Sequence, residues 1–401
     1  MKKICTLIAL CICYSVLYAQ NTDKQIYKHV ELETILNNIR EKHIPDKRVK
    51  VFDIKVDDHE KNPTLSGVTS DIAAYNELIK QSEKIYGKNF TDKIKLLPDK
   101  DLGDKTYGVI TLSVADIRIE GKFSAEMATQ ATLGTPIRIL QKDGWSRIQT
   151  PDGYIAWTQE INYHPMTKTE FENWNSAKKI IFTDYFGFAY SAPDTQSQTV
   201  SDLVSCNILK KEGEVGDFYN VSYPDGRKAY ILKSQSKKYE DWLAGIIISG
   251  DDFVKKAYTL MGIPYVWGGT SVKGMDCSGF TKTIALMHGI ILMRDASQQV
   301  HTGIPIDVSN GYGNLQPGDL MFFGKKAKKD KKERIRHVAF YIGNNKFIHA
   351  SGYIRISSLD PKDNDYDEVN TKEFIRASRI IGAIDKEGSG IWSISNNSFY
   401  K

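Results

Sequence analysis

The most constraining feature of this 401-residue chain is an internal repeat at an offset of 73 residues. Each copy alternates apolar and polar residues around a Pro-Asp-Gly turn, at 151–153 in the first copy and 224–226 in the second. The other equivalent pairs are Trp145 with Phe218, Ile148 with Val221, Ala156 with Ala229 and Trp157 with Tyr230. Alternation with closely spaced turns is typical of antiparallel β-structure. We therefore predict two tandem small β-barrels, at 103–165 and 178–240.

The first residues of the chain have the pattern of a secretory signal peptide. Two lysines precede an apolar stretch at 4–17, and Ala19 provides the small residue of a cleavage site. We predict a cleaved signal peptide at 1–19 and a periplasmic or secreted protein. A lipid anchor is disfavoured because Leu10 and Ile12, rather than small residues, precede the cysteines of this segment.

Two cysteines remain after cleavage, Cys206 and Cys277, and an exported protein would permit a disulfide between them. The repeat suggests a separate role for the first. Leu133 stands 73 residues before Cys206, which predicts an apolar core position in the second barrel. We expect Cys206 to be a buried structural thiol.

Residues 20–102 contain two stretches with apolar residues at helical spacing. The first covers 22–39, and the second covers 71–86 with Ser70 as its N-cap and Gly87 past its end. We predict that 20–102 forms a helical N-terminal cap.

Cys277 stands at the start of an apparent helix, 278–288. Gly268, Gly269 and Gly279 surround it, and glycines allow the close backbone approach that an oxyanion pocket requires. A cysteine that merely packs a helix start would not explain these glycines. Because unpaired N–H groups at a helix N-terminus favour the thiolate, we predict that Cys277 is a nucleophile with a depressed pKa.

His337 and His349 fall on two predicted strands joined through 343–345. With a three-residue loop, Ile342 pairs with Lys346, and both rings lie on one face as diagonal neighbours. We predict that His337 is the general base for the thiol and that His349 orients its ring. A single histidine on a strand would more often be a hydrogen-bonded core residue than a catalytic residue.

A metal site is the competing interpretation, since one thiolate and two imidazoles are zinc ligands. The wide spacing of Cys277, His337 and His349 matches no compact zinc pattern, so we predict no metal. Loss of the two signal-peptide lysines lowers the formal net charge from +5 to +3, which is too mild to favour nucleic acid. No other stretch approaches the roughly 18 apolar residues of a membrane span.

Five short motifs in the last third of the chain carry a resemblance to a known family. They are Tyr265-Val266-Trp267-Gly268-Gly269, Asp276-Cys277-Ser278-Gly279-Phe280, Pro317-Gly318-Asp319-Leu320, His337-Val338-Ala339-Phe340-Tyr341-Ile342-Gly343 and Phe347-Ile348-His349-Ala350. In this order they resemble the NlpC-type cell-wall cysteine peptidases over 250–385, and the barrels resemble the bacterial SH3-like modules of such enzymes. The resemblance implies an α+β fold, with a papain-like (NlpC-type) catalytic domain preceded by two small all-β SH3-like barrels and an N-terminal helical segment. Residues 386–401 remain as a tail.

The combination of domains resembles the gamma-D-glutamyl-L-diamino acid endopeptidases that trim murein peptides. This implies cleavage of the bond between gamma-D-glutamate and the diamino acid through a thioester on Cys277. The resemblance implies no cofactor. A substrate would be L-Ala-gamma-D-Glu-diaminopimelate. Tyr265 matches a hydroxyl beside the oxyanion in that family.

The same resemblance implies which residues bind the substrate. Glu126, from the first barrel, and Asp276 match the groups that hold the free amine of an N-terminal L-alanine. Tyr154 matches the aromatic wall of that pocket, and Ser278 and Ser297 match polar groups near the glutamate carboxylate.

Three alternatives remain open at the level of sequence. The SH3-like barrels could anchor a D,L-endopeptidase to intact peptidoglycan, or the chain could be a wall-binding protein in which hydrolysis is secondary. An acyltransferase could use the same thioester with a different acceptor. We expect a monomer.

Overall fold

The computed structural model describes residues 30–57 and 62–401. The chain divides into two compact units, the first ending at Asp101 and the second covering Leu102–Lys401. The predicted signal peptide and the beginning of the first predicted helix lie outside the described residues. Within the described ranges, no helix has both the length and the apolar character needed to cross a membrane.

The N-terminal unit combines its two helices with a three-stranded sheet. The elements are α1 (30–43), β1 (Phe52–Asp57), β2 (Thr64–Thr69), α2 (Ile72–Tyr86) and β3 (Thr91–Leu96). Strands β1 and β2 are antiparallel, and β2 and β3 are parallel with α2 as the connection. The prediction of a purely helical cap therefore missed the sheet. The alternation of apolar and charged residues along β1 was the signal for it.

The caps of α2 differ by one residue from the prediction. Asp71 is the N-cap, because its carboxylate accepts a hydrogen bond from the Ala74 N–H at 2.9 Å. The hydroxyl of Ser70 instead accepts from the Val51 N–H. Gly87 ends the helix with φ of +62°, as predicted.

Two seven-stranded antiparallel sheets occupy the internal repeat, and each encloses its own apolar core. The first consists of β4 (Tyr107–Ile110), β5 (Val114–Arg118), β6 (Met127–Thr132), β7 (Pro136–Asp143), β8 (Trp145–Gln149), β9 (Ile155–Thr158) and β10 (Tyr163–Met166). The second consists of β11 (Lys179–Phe182), β12 (Phe186–Tyr190), β13 (Thr199–Val204), β14 (Ile208–Val215), β15 (Phe218–Ser222), β16 (Lys228–Leu232) and β17 (Ser236–Lys238). Helix α3 (Lys168–Ser176) connects the two barrels.

The position of Cys206 in the repeat differs from the prediction by one residue. Gly134 donates its N–H to the Ile110 carbonyl and Cys206 donates its N–H to the Phe182 carbonyl, both at 2.9 Å. Both residues have positive φ, +85° and +70°. Cys206 is therefore equivalent to Gly134 and not to Leu133, because the β14–β15 turn is one residue longer than the β7–β8 turn. The thiol is free and buried, and burial raises its pKa to about 12.

The third part of the second unit is a six-stranded antiparallel sheet with helices packed against it. The strands are β18 (Thr270–Ser271), β19 (Gly274–Met275), β20 (Ile290–Ile291), β21 (Ile304–Ile306), β22 (Leu320–Lys325), β23 (Arg334–Gly343), β24 (Lys346–Ser351), β25 (Tyr353–Ser358), β26 (Phe374–Arg379) and β27 (Trp392–Ser393). The sheet has the order β21-β26-β22-β23-β24-β25, and the two-stranded pairs are β18-β19 and β20-β27. The helices of this part are α5 (Gly250–Tyr258), α6 (Cys277–Met287), α7 (Ala296–Gln299) and α8 (Glu368–Lys372). Helix α4 (Tyr239–Ala244) precedes them and packs against the second barrel.

Helix α6 is the element that positions the candidate site. Most of its residues are buried, and its side chains share one apolar core with β22, β23 and β24. The predicted tail at 386–401 is folded rather than loose. Its strand β27 pairs with β20, and the Asn397 amide donates to the Pro151 carbonyl of the first barrel at 2.8 Å.

Candidate active site

Cys277 is the first residue of α6, and the helix cap holds it there. Asp276 is the N-cap, and its carboxylate accepts from the Gly279 N–H at 2.7 Å. Gly279 has no room for a side chain, because a Cβ would stand 1.9 Å from the Gly269 carbonyl oxygen. The close backbone contact predicted from the glycines is therefore present, and it fixes a buried thiol at the helix N-terminus.

The surroundings of this thiol favour its neutral form. Burial, followed by the negative charge of Asp276, raises the pKa of Cys277 to about 12. The backbone N–H groups of Val338 and Ser278 hydrogen-bond to the sulfur and lower this pKa by smaller amounts. The prediction of a depressed thiol pKa is wrong for the resting protein, because desolvation outweighs the helix N-terminus. The thiol must therefore transfer its proton to a base when it reacts.

The two predicted histidines lie side by side on β23 and β24. His337 Nε2 and His349 Nδ1 are 2.8 Å apart, and both rings are buried. His337 directly precedes Val338, whose N–H reaches the sulfur of Cys277. Burial lowers the pKa of each histidine to about 3, and for His337 the neighbouring His349 is the second cause. Both rings are neutral at neutral pH and are available as proton acceptors.

The turn between these strands is shorter than predicted. Gly343, and not Ile342, pairs with Lys346, and Ile342 is the extra residue of a bulge. The loop is Asn344 and Asn345, with φ of +50° and +56°, as a type I′ turn requires. The bulge offsets the shorter loop, so the predicted register holds beyond it and the two rings share a face.

A buried arginine that was not among the predicted site residues neutralises the residue before the nucleophile. Arg294 binds Asp276 in bidentate fashion, with Nη2 to Oδ2 at 2.6 Å and Nη1 to Oδ1 at 3.1 Å. Nη1 also donates to Ser278 Oγ at 2.9 Å, and the arginine is 1% exposed. The Gly268 N–H donates to the same carboxylate at 2.9 Å. Binding of a substrate ammonium to Asp276 stays a prediction. The ammonium would share this carboxylate with Arg294 and the Gly268 N–H, which already donate hydrogen bonds to it.

The signal for this arginine was available in the sequence. Arg294 follows the apolar run 290–293, and a charged residue that ends such a run is a candidate for a buried ion pair. Sequence alone did not identify Asp276 as its partner, because the two residues belong to separate elements.

Tyr265 lies close to the nucleophile, as the resemblance implied. It forms an isolated parallel bridge with Met275, two residues before Cys277. Burial raises the pKa of Tyr265 above its usual range, and the nearby Cys277 and Asp276 raise it further. The phenol therefore keeps its proton and can donate a hydrogen bond.

The first barrel closes against the loop that precedes the nucleophile. Gly268 has φ of +80°, and a Cβ there would stand 2.3 Å from the Met127 carbonyl oxygen of β6. The Thr270 N–H donates to Gln130 Oε1 at 3.1 Å. Glu126 is exposed, and it accepts a hydrogen bond from the indole N–H of Trp267 at 2.5 Å. The barrel thus brings Glu126 to the rim of the region around Cys277.

The remaining predicted pocket residues occupy different environments. Tyr154 is buried within the core of the first barrel, close enough to Arg294 to interact with its charge. Ser278 is buried beside Arg294, through the hydrogen bond described above. Ser297 is half-buried in α7, three residues after that arginine. Arg294 thus neighbours Asp276, Ser278 and Tyr154 of the predicted pocket, although it was not among the predicted residues.

A second buried ion pair joins the first barrel to α6. Lys282 Nζ lies 2.5 Å from Asp152 Oδ2, and Thr150 Oγ1 donates to the other oxygen of that carboxylate. Burial lowers the pKa of Lys282, and Asp152 opposes this effect. The sequence presented Asp152 only as part of a turn. The pair holds the barrel against the helix that carries the nucleophile.

Metal coordination was the alternative use of these residue types. Over residues 30–57 and 62–401, no group of three or more His, Cys, Asp or Glu side chains is arranged to hold a metal ion. The geometry is instead that of a thiol next to a hydrogen-bonded pair of imidazoles.

Comparisons with known proteins agree with this geometry. Residues 262–376 match the NlpC/P60 family, and residues 117–160 match the bacterial dipeptidyl-peptidase Sh3 domain. A gamma-D-glutamyl-L-lysine dipeptidyl-peptidase of Bacillus cereus is 31% identical over 237 residues, which are 56% of this chain and 67% of that protein. A Bacillus subtilis protein of the same name is 25% identical, over 62% of this chain and 76% of its own length.

A solved structure gives the same result for the fold. A crystal structure of a NlpC/P60 family protein from Bacillus cereus is 25% identical and superimposes with a TM-score of 0.58. The match covers 69% of this chain and 99% of that one. The fold predicted from the sequence, with SH3-like domains ahead of an NlpC-type domain, is confirmed. The chain belongs to the NlpC/P60 family and is a peptidase of the hydrolase class.

Proposed function

We propose that this protein is an exported cysteine peptidase of murein peptides. It hydrolyses the bond between gamma-D-glutamate and the diamino acid in peptides that carry a free N-terminal L-alanine. The observation that carries the proposal is the buried thiol of Cys277 at the start of α6, next to the hydrogen-bonded pair His337 and His349. The names of the two Bacillus relatives support the choice of bond. Export rests on the signal-peptide pattern of 1–19.

The proposed reaction begins with the Cys277 thiol and both imidazoles in their neutral forms. His337 Nδ1 takes the thiol proton while the sulfur of Cys277 attacks the γ-carbonyl carbon of D-glutamate. The N–H groups at the start of α6 and the Tyr265 hydroxyl stabilise the oxyanion. His337 returns the proton to the amine of the diamino acid, the C–N bond breaks, and a thioester remains. Water then attacks the thioester, with His337 as its base, and the thiol is restored.

Specificity for a free L-alanine is assigned to the wall that the first barrel contributes. Among the described residues, no buried arginine pairs with Glu126, whereas Arg294 pairs with Asp276. The contact of Glu126 with Trp267 connects the barrel to the loop before the nucleophile. An ammonium beside Glu126 gains a charge-assisted hydrogen bond, and an acylated nitrogen loses it.

The test compares L-Ala-gamma-D-Glu-diaminopimelate, its N-acetyl form, the corresponding L-lysine peptide and intact sacculi. We expect N-acetylation to lower kcat/KM by roughly 30-fold or more, because a loss of about 2 kcal/mol or more accompanies an unpaired charge. Glu126→Gln should lower kcat/KM for the free-amine peptide and reduce the ratio of this kcat/KM to that of the N-acetyl peptide. Glu120→Gln, which removes an exposed carboxylate paired with Lys122 on the same barrel, is the control and should change neither rate.

Three outcomes would overturn the proposal. Comparable rates on all substrates, sacculi included, would identify an endopeptidase that cuts the intact wall. Products in which a second amine has replaced the diamino acid would identify an acyltransferase. Full activity of Cys277→Ala would exclude the thioester altogether.

A further inference from the structure

The buried hydrogen-bond chain of the site continues beyond His349 to a serine. His349 Nε2 and Ser357 Oγ are 3.1 Å apart, and Ser357 is 2% exposed. The strand register produces this contact. Phe347 pairs with Ser357, so Ser357 on β25 is the diagonal neighbour of His349 on β24. Within the described part of the chain, the Ser357 hydroxyl has no other hydrogen-bond partner.

Proton positions along this chain are linked. A neutral imidazole carries its proton on one nitrogen, and the two nitrogens of His349 face His337 and Ser357. For His337 Nδ1 to accept the thiol proton, His337 must carry its own proton on Nε2. That N–H donates to His349 Nδ1, which leaves the His349 proton on Nε2. His349 Nε2–H can then donate only to Ser357 Oγ.

We propose that Ser357 is a positioning residue for the peptidase reaction. Its Oγ accepts the His349 Nε2–H and thereby holds both histidines in the tautomer that leaves His337 Nδ1 free to take the thiol proton. The inference rests on the proposed role of His337 as the base. With the chain reversed, Ser357 donates to His349, and His337 presents an N–H to the thiol and cannot act.

The charges around the two imidazole rings explain why a neutral hydroxyl is an effective hydrogen-bond acceptor for His349. The positive charges of Arg355 on β25 and Arg336 on β23 lower the pKa of His349, after the larger effect of burial. Arg336 also acts on His337, whereas Asp367 and Asp276 oppose it weakly. Among the described residues no carboxylate hydrogen-bonds to either ring. A neutral acceptor therefore fixes the tautomer without drawing a positive charge onto His349.

The experiment replaces Ser357 in the full-length chain. Ser357→Ala leaves the productive His349 N–H buried and unpaired, and a buried N–H is costlier to leave unpaired than an acceptor. We expect kcat to fall about fivefold to a hundredfold with KM unchanged. Ser357→Thr keeps the acceptor and should restore kcat. Ser378→Ala is the matched control, since Ser378 is a buried serine of the same sheet without a hydrogen-bond partner in the described range.

A second measurement reads the tautomers without turnover. In protein labelled with ¹⁵N-histidine, both His337 and His349 should carry their protons on Nε2, and Ser357→Ala should shift protons to Nδ1. Unchanged kcat and unchanged tautomers in Ser357→Ala would overturn the proposal, and so would a resting protein whose histidines are protonated on Nδ1. If Cys277→Ala kept full activity, the proposed reaction would fail while the tautomer measurement still tested Ser357.

Discussion

Replacing Arg294 by methionine should destabilise the protein by about 3–5 kcal/mol, because it leaves Asp276 as an uncompensated buried charge. The geometry supports this magnitude. The guanidinium and carboxylate meet at 2.6 Å and 3.1 Å, with charge centres about 4 Å apart, which gives about 4 kcal/mol at an effective dielectric constant of about 20. The side chains are 1% and 8% exposed, so solvent cannot replace the lost partner.

The assay is urea unfolding followed by tryptophan fluorescence, with the change in midpoint read at constant m. Asp276→Asn should cost a similar amount, since it leaves the arginine unpaired. The double variant Asp276→Asn/Arg294→Met should recover part of the loss, because both charges are then absent. The control Arg376→Met breaks an exposed pair with Glu333 and should cost less than about 1 kcal/mol. An Arg294→Met variant as stable as this control would refute the burial of the pair.

Three further results are expected from the candidate catalytic groups. Iodoacetamide should alkylate Cys277 slowly at neutral pH and faster as the pH rises, because burial raises the pKa of its thiol to about 12. A constant alkylation rate between about pH 5 and 8 would instead indicate a preformed thiolate. His337→Ala should abolish turnover. His349→Ala should lower kcat/KM by about tenfold to a hundredfold, since orienting a base contributes less than being the base. Unchanged turnover in either variant would show that the replaced histidine does not belong to the catalytic site. The free energy of unfolding, measured with urea, should fall as the pH is lowered from about 6.5 to 3, by up to about 1.4 kcal/mol per pH unit for each histidine. The reason is that the histidines of the unfolded chain bind protons in this range, whereas the folded rings, with pKa values lowered to about 3, do not. A free energy of unfolding that does not change with pH would contradict those values.

The sequence predicted the parts of the fold whose signals are local. Alternation and turn residues indicated the two barrels, and the helix predicted at 278–288 corresponds to α6. The sheet of the N-terminal unit was missed, although β1 alternates, because the two helical patterns beside it were stronger. Cys206 was assigned one position away from its true equivalent, because one extra residue in a turn shifts an alignment without changing its pattern.

The sequence by itself determined the order of chemical groups: a cysteine opening a helix, then two histidines on consecutive strands. These features depend on backbone periodicity, which neighbouring residues set. Tertiary structure alone decided the pairing of Arg294 with Asp276, the contact of Ser357 with His349 and the raised pKa of the thiol. Each depends on which distant elements meet and how completely they exclude water, and desolvation is a property of the assembled fold that no local pattern records.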